Sequence, residues 1–353
     1  MNFSLDFINN NLPKIARRLE AKAPVDTFLQ DVLFGDPRSD MGNEAHDGFV
    51  MEWRRYAPQV AKEAIRGQDP TKLNYQSKFN AELFTPNYYH NEEEVNLSDA
   101  DARIFGEDLS ENISTARRVL VKYAEKRDAL EDAFTLAKEK MCADMLISAQ
   151  VVNNAGTQAF PMTSSLLSLS GSTMYSDFLG TIKSGVESVR KKNKSFRPDC
   201  LVLNPTYAGL LIGALKTAGL LDKECLDLGK VHFEGILGNG AELQGAVNAP
   251  GAPTLYIVAY YGCDSSDNYY IPNQKAFLGR LEKGSVGGFG YGRVRAYENG
   301  VPQYKVVKDR TVAAVKGYGD MRVNIIEKQS APLPTIHNLD GYGIFASIPS
   351  SLS

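Results

Sequence analysis

Arg117–Met141 reads RRVLVKYAEKRDALEDAFTLAKEKM, without a proline or a glycine. Upstream, Asp108 and Glu111 have capping-box spacing and Ser110 is a second candidate cap. From there to Ser148 no residue breaks a helix. Ile113, Ala116, Leu120, Tyr123, Leu130, Phe134, Ala137 and Met141 step by threes and fours, and Arg127 is the one polar interruption of this apolar stripe. The other faces carry Arg118, Lys122, Glu125, Lys126, Asp128, Glu131, Asp132 and Lys138. The pattern predicts one helix over about 109–148, a rod of roughly 60 Å at a rise of about 1.5 Å per residue. A compact ball of this chain length has a radius of gyration of about 20 Å and a diameter of about 50 Å. The rod therefore protrudes, or the molecule is long and flat. A coiled-coil dimer is the alternative, but Arg127 and the alanines weaken its seam. A helix lying along one face of a flat sheet is the expectation.

Working outward toward the N-terminus, residues 1–48 hold one short amphipathic stretch, Phe7–Leu19, and then turn residues, GDPRSDMGNEAHDG. They read as an arm with little core of its own. From Phe49 the chain alternates briefly (FVMEW) and then turns long, polar and punctuated, RGQDPTKLNYQSKFNAELFTPNYYHNEEEV. Irregular stretches of this length inside a compact domain are uncommon and tend to be functional or disordered. Tyr75, Phe79, Phe84, Tyr88 and Tyr89 argue against disorder, since aromatics are scarce in segments that never fold. An extended loop over 49–100 is expected, with an ordinary irregular hairpin packed on its own domain as the alternative.

Beyond the rod, AGTQAFPMTSSLLSLSGST is a strand-and-turn region and Tyr175–Asn193 a second helix, closed by Lys191, Lys192 and Lys194. DCLVLNP is a buried strand that leads into a helix near Pro205 and Thr206, and TLYIVAY (Thr254–Tyr260) is another apolar strand. Tyr291–Tyr297 and Val301–Val307 flank Asn299-Gly300, a hairpin signal. From Asp320, DMRVNIIEKQSAPLP is extended and leads to the tail IHNLDGYGIFASIPSSLS. Helices and strands are segregated, which gives the α+β class.

The 353 residues allow a large core, and 39 basic against 42 acidic groups give a net charge of −3. That excludes the basic excess with which proteins grip nucleic acid through its phosphates. Cys142, Cys200, Cys225 and Cys263 lie dozens of residues apart and read as free thiols. The N-terminus lacks a basic region followed by an apolar run, and no apolar stretch is long enough to span a bilayer, so a soluble cytoplasmic product is expected.

Chemistry-bearing patterns are sparse. GSVGGFGYG (Gly284–Gly292) lacks G-x-G-x-x-G spacing and precedes a strand, so it reads as a flexible turn, and GILGNGAEL fails the same test. His46, His90, His232 and His337 do not pair at metal-ligand spacing. His46 lies in a solvated charge cluster, and His90 precedes NEEE, a run that should face water. The 17 tyrosines and 16 phenylalanines are interleaved with acids as often as with bases, which favours core and subunit contacts over base stacking. Neither catalytic residues nor cofactor or metal ligands are assigned.

The order of parts resembles the major capsid proteins of tailed bacteriophages, the Hong Kong 97 fold, and within it the lambda-type major head protein family. Three stretches carry the likeness. FTPNYYHNEEEVN (Phe84–Asn96) resembles the descent from the extended loop, EKRDALEDAFTLAKEKMCADML (Glu125–Leu146) the spine helix, and IIEKQSAPLPTIHNLDGYGIFASI (Ile325–Ile348) the closing segment.

The resemblance implies an arm over 1–48 and an extended β-hairpin loop over 49–100. It further implies a peripheral domain of 101–165 with 316–353, and an axial domain of 166–315. It implies a non-enzymatic subunit that self-assembles as a homo-oligomer, in hexamers and pentamers of an icosahedral shell around double-stranded DNA, bound without sequence specificity. The expected partners are a scaffolding protein, a portal and a decoration protein, with no membrane; the expected location is the virion, assembled in the host bacterial cytoplasm. Lys72, Tyr75, Phe79, Phe84, Leu120, Leu130 and Phe134 are the candidate assembly residues. Some members cross-link covalently through a loop lysine; Lys72 and Lys78 lie in that loop, but no acceptor signal accompanies them and non-covalent contacts are expected. The chain does not begin with a long acidic helical pro-region, which points to separate scaffolding. An encapsulin-type compartment holding cargo enzymes is the alternative.

Overall fold

The rod is present. In the structure, a computed structural model, α2 runs unbroken through Thr115–Ser148, 34 residues and about 51 Å at the α-helical rise. The structure describes residues 5–11, 25–35, 49–55, 78–84, 88–95, 115–148, 150–153, 156–159, 167–193, 196–233, 237, 240–248, 254–298, 301–306, 309–318, 321–336 and 341–350. The anticipated cap at Asp108–Glu111 lies outside them.

Before α2 come α1 (Leu5–Asn11), a π-helical turn (Leu29–Leu33), β1 (Phe49–Arg55), β2 (Lys78–Phe84) and β3 (Tyr89–Glu94). After it follow β4 (Gln150–Asn153), β5 (Gly156–Ala159), β6 (Leu167–Ser170), α3 (Phe178–Lys192), β7 (Cys200–Leu203), α4 (Pro205–Thr217) and α5 (Lys223–Phe233). The remainder is strand: β8 (Ala241–Asn248), β9 (Thr254–Tyr260), β10 (Ala276–Gly279), β11 (Gly287–Tyr291), β12 (Arg293–Glu298) and β13 (Val301–Val306). The last four are β14 (Arg310–Tyr318), β15 (Met321–Ser330), β16 (Pro332–Ile336) and β17 (Gly343–Ser347).

The largest sheet has six strands in the order β6-β17-β10-β7-β9-β8. Its inner strands β7 and β10 are buried throughout, because successive side chains point opposite ways and both faces are covered there, whereas the edge strand β6 exposes its serines. In β7, Leu201 and Leu203 enter a core with Phe178, Ile182, Val186 and Val189 of α3 and Tyr207, Leu211 and Leu215 of α4. Cys200 and Val202 face the other way, into a core with Met141, Cys142, Met145 and Leu146 from the end of α2. α3 starts at Phe178 instead of Tyr175 because the Asp177 carboxylate caps it, accepting from the Gly180 N–H at 3.1 Å. α4 starts where expected: Asn204 accepts from the Tyr207 N–H at 3.0 Å and Pro205 occupies the first turn.

The first half of α2 belongs to a different core. Val119, Tyr123, Ala124 and Leu130 pack with Ile8 of α1, Val95, Ala313 of β14 and Ile326 of β15, over the three-stranded sheet β14-β15-β3. The helix is thus a strut joining two cores, lying on a sheet as expected.

Three expectations are corrected. First, the 1–48 arm does contribute core: Phe28, Leu29, Val32, Leu33 and Phe34 are buried with the end of α2, because FLQDVLF closes into one wide helical turn with its apolar side inward. Second, GSVGGFGYG is a turn only at its start, where Gly284 has φ +70°. The rest is β11, a buried strand paired with β16, and a Cβ on Gly287 would run into the Thr335 carbonyl oxygen. The glycine permits close approach of two backbones, not flexibility. Third, the end of the 316–353 segment does not stay with β14 and β15: β17 inserts between β6 and β10 of the six-stranded sheet. Ile344 and Phe345 of β17 enter its two opposite cores. Of the charged residues on the other faces of α2, Asp128 and Lys138 are buried, each in an ion pair.

Candidate assembly surfaces

β1 and β2 form an antiparallel ribbon from Phe49↔Phe84 to Arg55↔Lys78, and among the described residues they pair only with each other. An isolated two-stranded ribbon is marginal in water and is normally stabilised by packing against something else. Of the candidate assembly residues, Phe79 and Phe84 lie on β2 opposite Arg54 and Phe49. Lys72 and Tyr75 lie outside the described residues. Leu120 is half-buried against the core under the three-stranded sheet, and Leu130 is buried within it. Phe134 is buried too, with its ring 6.0 Å from that of Tyr89 and the Lys328 ammonium 5.5 Å from its centroid. The described members of the sequence-derived set therefore divide: two residues on the hairpin, and three whose side chains are engaged inside their own subunit and help seat α2.

The outer face of the three-stranded sheet is charged. Lys316 donates to Glu92 at 2.7 Å and His90 lies 3.2 Å from Glu327, while on the opposite side Glu93, in phase with Tyr89, accepts from Lys126 of α2 at 3.0 Å. Thus the NEEE run does face water, as a strand edge. Exposed pairs of this kind contribute roughly 0–1 kcal/mol each, so they orient the surface more than they hold it together.

Beneath that face the charges are enclosed. Arg127 bonds Asp128 at 2.8 Å, and Lys138 bonds Asp309 at 3.2 Å. Burial holds the Lys328 ammonium below its ordinary pKa. The residue that sequence reasoning missed is Glu139. Its Oε1 accepts from the Leu29 N–H at 2.8 Å and from the Tyr260 hydroxyl at 2.7 Å, and its Oε2 accepts from the Gln30 N–H at 2.9 Å. Leu29 and Gln30 open the π-helical turn, where backbone donors have no partner in the turn itself, so α2 supplies the acceptor. Gln30 also donates through Nε2 to the Thr135 carbonyl at 3.3 Å. Burial pushes the Glu139 carboxyl up to about 7 despite the three donors, which act the other way. The sequence alone does not mark it: the acid stands between Lys138 and Lys140, and the apolar residues Met141, Cys142, Met145, Leu146 and Ile147 that follow are interrupted by Asp144.

Reactive groupings do not stand out. Among the described residues no group of three or more His, Cys, Asp or Glu side chains could hold a metal ion. All four cysteines are free, and burial raises the thiols of Cys142 and Cys200 well above their ordinary value, which disfavours the nucleophilic thiolate. His232 is exposed, edge-on to Phe233 at 4.7 Å, while His46 and His337 lie outside the described residues. Among the described residues no helix is long and apolar enough to cross a membrane.

No protein-family model matches the chain, and no curated protein matches it. Solved structures do. A prophage protein of E. coli CFT073, described as its capsid protein, superposes with a TM-score of 0.57 at 12% identity, over 99% of this chain and 100% of its own. The capsid of Ralstonia phage GP4 gives 0.48 at 12% identity over 97% of this chain and 98% of its own. The capsid of cyanophage P-SCSP1u gives 0.48 at 10% identity over 96% and 92%. The end-to-end match to the prophage protein carries the conclusion, together with the ribbon, the long helix, the three-stranded sheet beneath it and the doubly covered six-stranded sheet. This chain has the α+β capsid fold of the Hong Kong 97 type.

Proposed function

We propose that the chain is the major shell subunit of a tailed phage or prophage, a structural protein that tiles with copies of itself. The observation that carries this reading is the likeness to the prophage protein along 99% of the chain. A ribbon paired only with itself among the described residues supports it, since such a strand pair is completed by packing on a neighbour. In this reading the arm over 1–48 and the loop over 49–100 serve adjacent subunits as much as their own, 101–165 with β14 and the first part of 316–353 form the peripheral region, and 166–309 with β17 form the axial region. Subunits meet as hexamers and pentamers of an icosahedral shell, built with a scaffolding protein and a portal and dressed by a decoration protein. The shell encloses double-stranded DNA held by confinement, in keeping with a net charge of −3. The product is a virion component put together in the bacterial cytoplasm.

Sedimentation velocity of the expressed chain, alone and co-expressed with its neighbouring genes, tests the reading. Discrete species of hexamer size and above support it; a monomer at all concentrations and in all combinations overturns it. Particles that enclose a protein cargo and no DNA would instead identify a compartment shell.

A further inference from the structure

Glu139 ties together three parts of the chain that are far apart in sequence. It stands on α2, receives the backbone N–H groups of Leu29 and Gln30, and receives the hydroxyl of Tyr260 from β9. The segment it holds is short, and its apolar side chains Phe28, Leu29, Leu33 and Phe34 fill the core between α2 and the six-stranded sheet. Ordinary side-chain packing would seat those residues without a carboxylate. An acid among them makes their seating depend on a proton.

We propose that Glu139 is a proton-controlled latch that fixes residues 25–35 against α2 and β9, tight when its carboxyl group is neutral and loosened when it is ionised.

Burial and the negative charge facing it favour the neutral carboxyl group, and the three donors oppose them. The groups facing it are Asp26 and Asp31 from the docked segment, Tyr260 from β9, Tyr270 from the loop after β9, and Cys142 and Lys138 from α2 itself. Asp31 adds negative potential at Glu139, and burial raises Asp26 above its ordinary value. Lys138 is engaged elsewhere, with Asp309 at 3.2 Å and over the Tyr291 ring at 5.7 Å. Docking takes the Glu139 carboxyl out of water, so the docked form keeps its proton to a higher pH than the undocked form does. The docked form then binds more protons over the interval from about 4.5 to about 7, and docking weakens as pH rises through that interval. The limiting slope is about tenfold in the opening equilibrium per pH unit, on the order of 100-fold in total, level above the upper value. This concerns the single subunit and does not rest on the shell reading.

Hydrogen–deuterium exchange of the full chain, followed on the peptide covering Phe28–Phe34 from pH 5 to 8.5 with labelling times scaled for intrinsic chemistry, reads the latch directly. The expected result is an opening equilibrium that rises with pH to a plateau near neutrality in the wild type and is flat in Glu139→Gln. A flat wild-type profile overturns the proposal, and so does a slope that persists in Glu139→Gln, which would assign the titration to another group such as Asp26. Tyr260→Phe removes a donor that favours the ionised form, so its plateau should be reached at higher pH. An unchanged midpoint in that variant contradicts the latch even where Glu139→Gln does not fold.

Discussion

Replacing Leu130 with alanine tests whether α2 is seated as described. Leu130 is 4% exposed and packs with Val119, Tyr123, Ile8 and Ile326, so the three carbon atoms removed leave a space that two elements cannot both relax into. A buried leucine truncated in this way costs about 3 kcal/mol, transfer and cavity terms together. For a chain of 353 residues the unfolding entropy near the midpoint is about 0.7 kcal/mol/K, so Tm should fall by about 4 °C. Leu136 on the same helix is 37% exposed, and Leu136→Ala is the comparison: same substitution and helix propensity, less burial, an expected change of about 1 kcal/mol. Urea denaturation and calorimetry of the unassembled subunit measure both. Equal losses in the two variants, or no loss in Leu130→Ala, would refute the packing of α2 on β15 and β3.

Gly287→Ala should cost more than about 2 kcal/mol, since its Cβ meets the Thr335 carbonyl oxygen and the β11–β16 pairing must separate; a neutral effect on Tm would remove that register. Asn204→Ala removes the α4 cap and the bonds to Ile271 and Asn273, and should lower stability by about 2 kcal/mol, checked by urea denaturation; no change would deny Asn204 its capping role. Deleting residues 68–81 should leave circular dichroism and Tm nearly unchanged while abolishing large species in sedimentation; unchanged assembly would take the hairpin out of the account.

The helix was legible because its signals are local: no breaker over dozens of residues and an apolar stripe at helical spacing. The same holds for α4, where Asn204 and Pro205 stand at the positions a helix start requires. Glu139 was not legible as a site, since a lone acid in a helix reads as solvated until the segment that covers it is known, and that segment lies about 110 residues earlier in the chain. β17 was missed for a related reason: its strand character is visible in GIFAS, but its partners, β10 and β6, are set by pairing across more than 60 residues. The glycines of β11 misled because turn and close backbone approach use the same residue. Among the candidate assembly residues all but Lys72 are aromatic or aliphatic, and apolarity alone does not separate Leu130, which faces its own subunit, from a side chain that awaits a neighbour.

Electron microscopy of the protein co-expressed with its neighbouring genes tests the central claim most directly. Closed icosahedral shells in which a ribbon of β1 and β2 lies across an adjacent subunit are predicted. A uniform population of isolated, fully folded monomers under those conditions would contradict it.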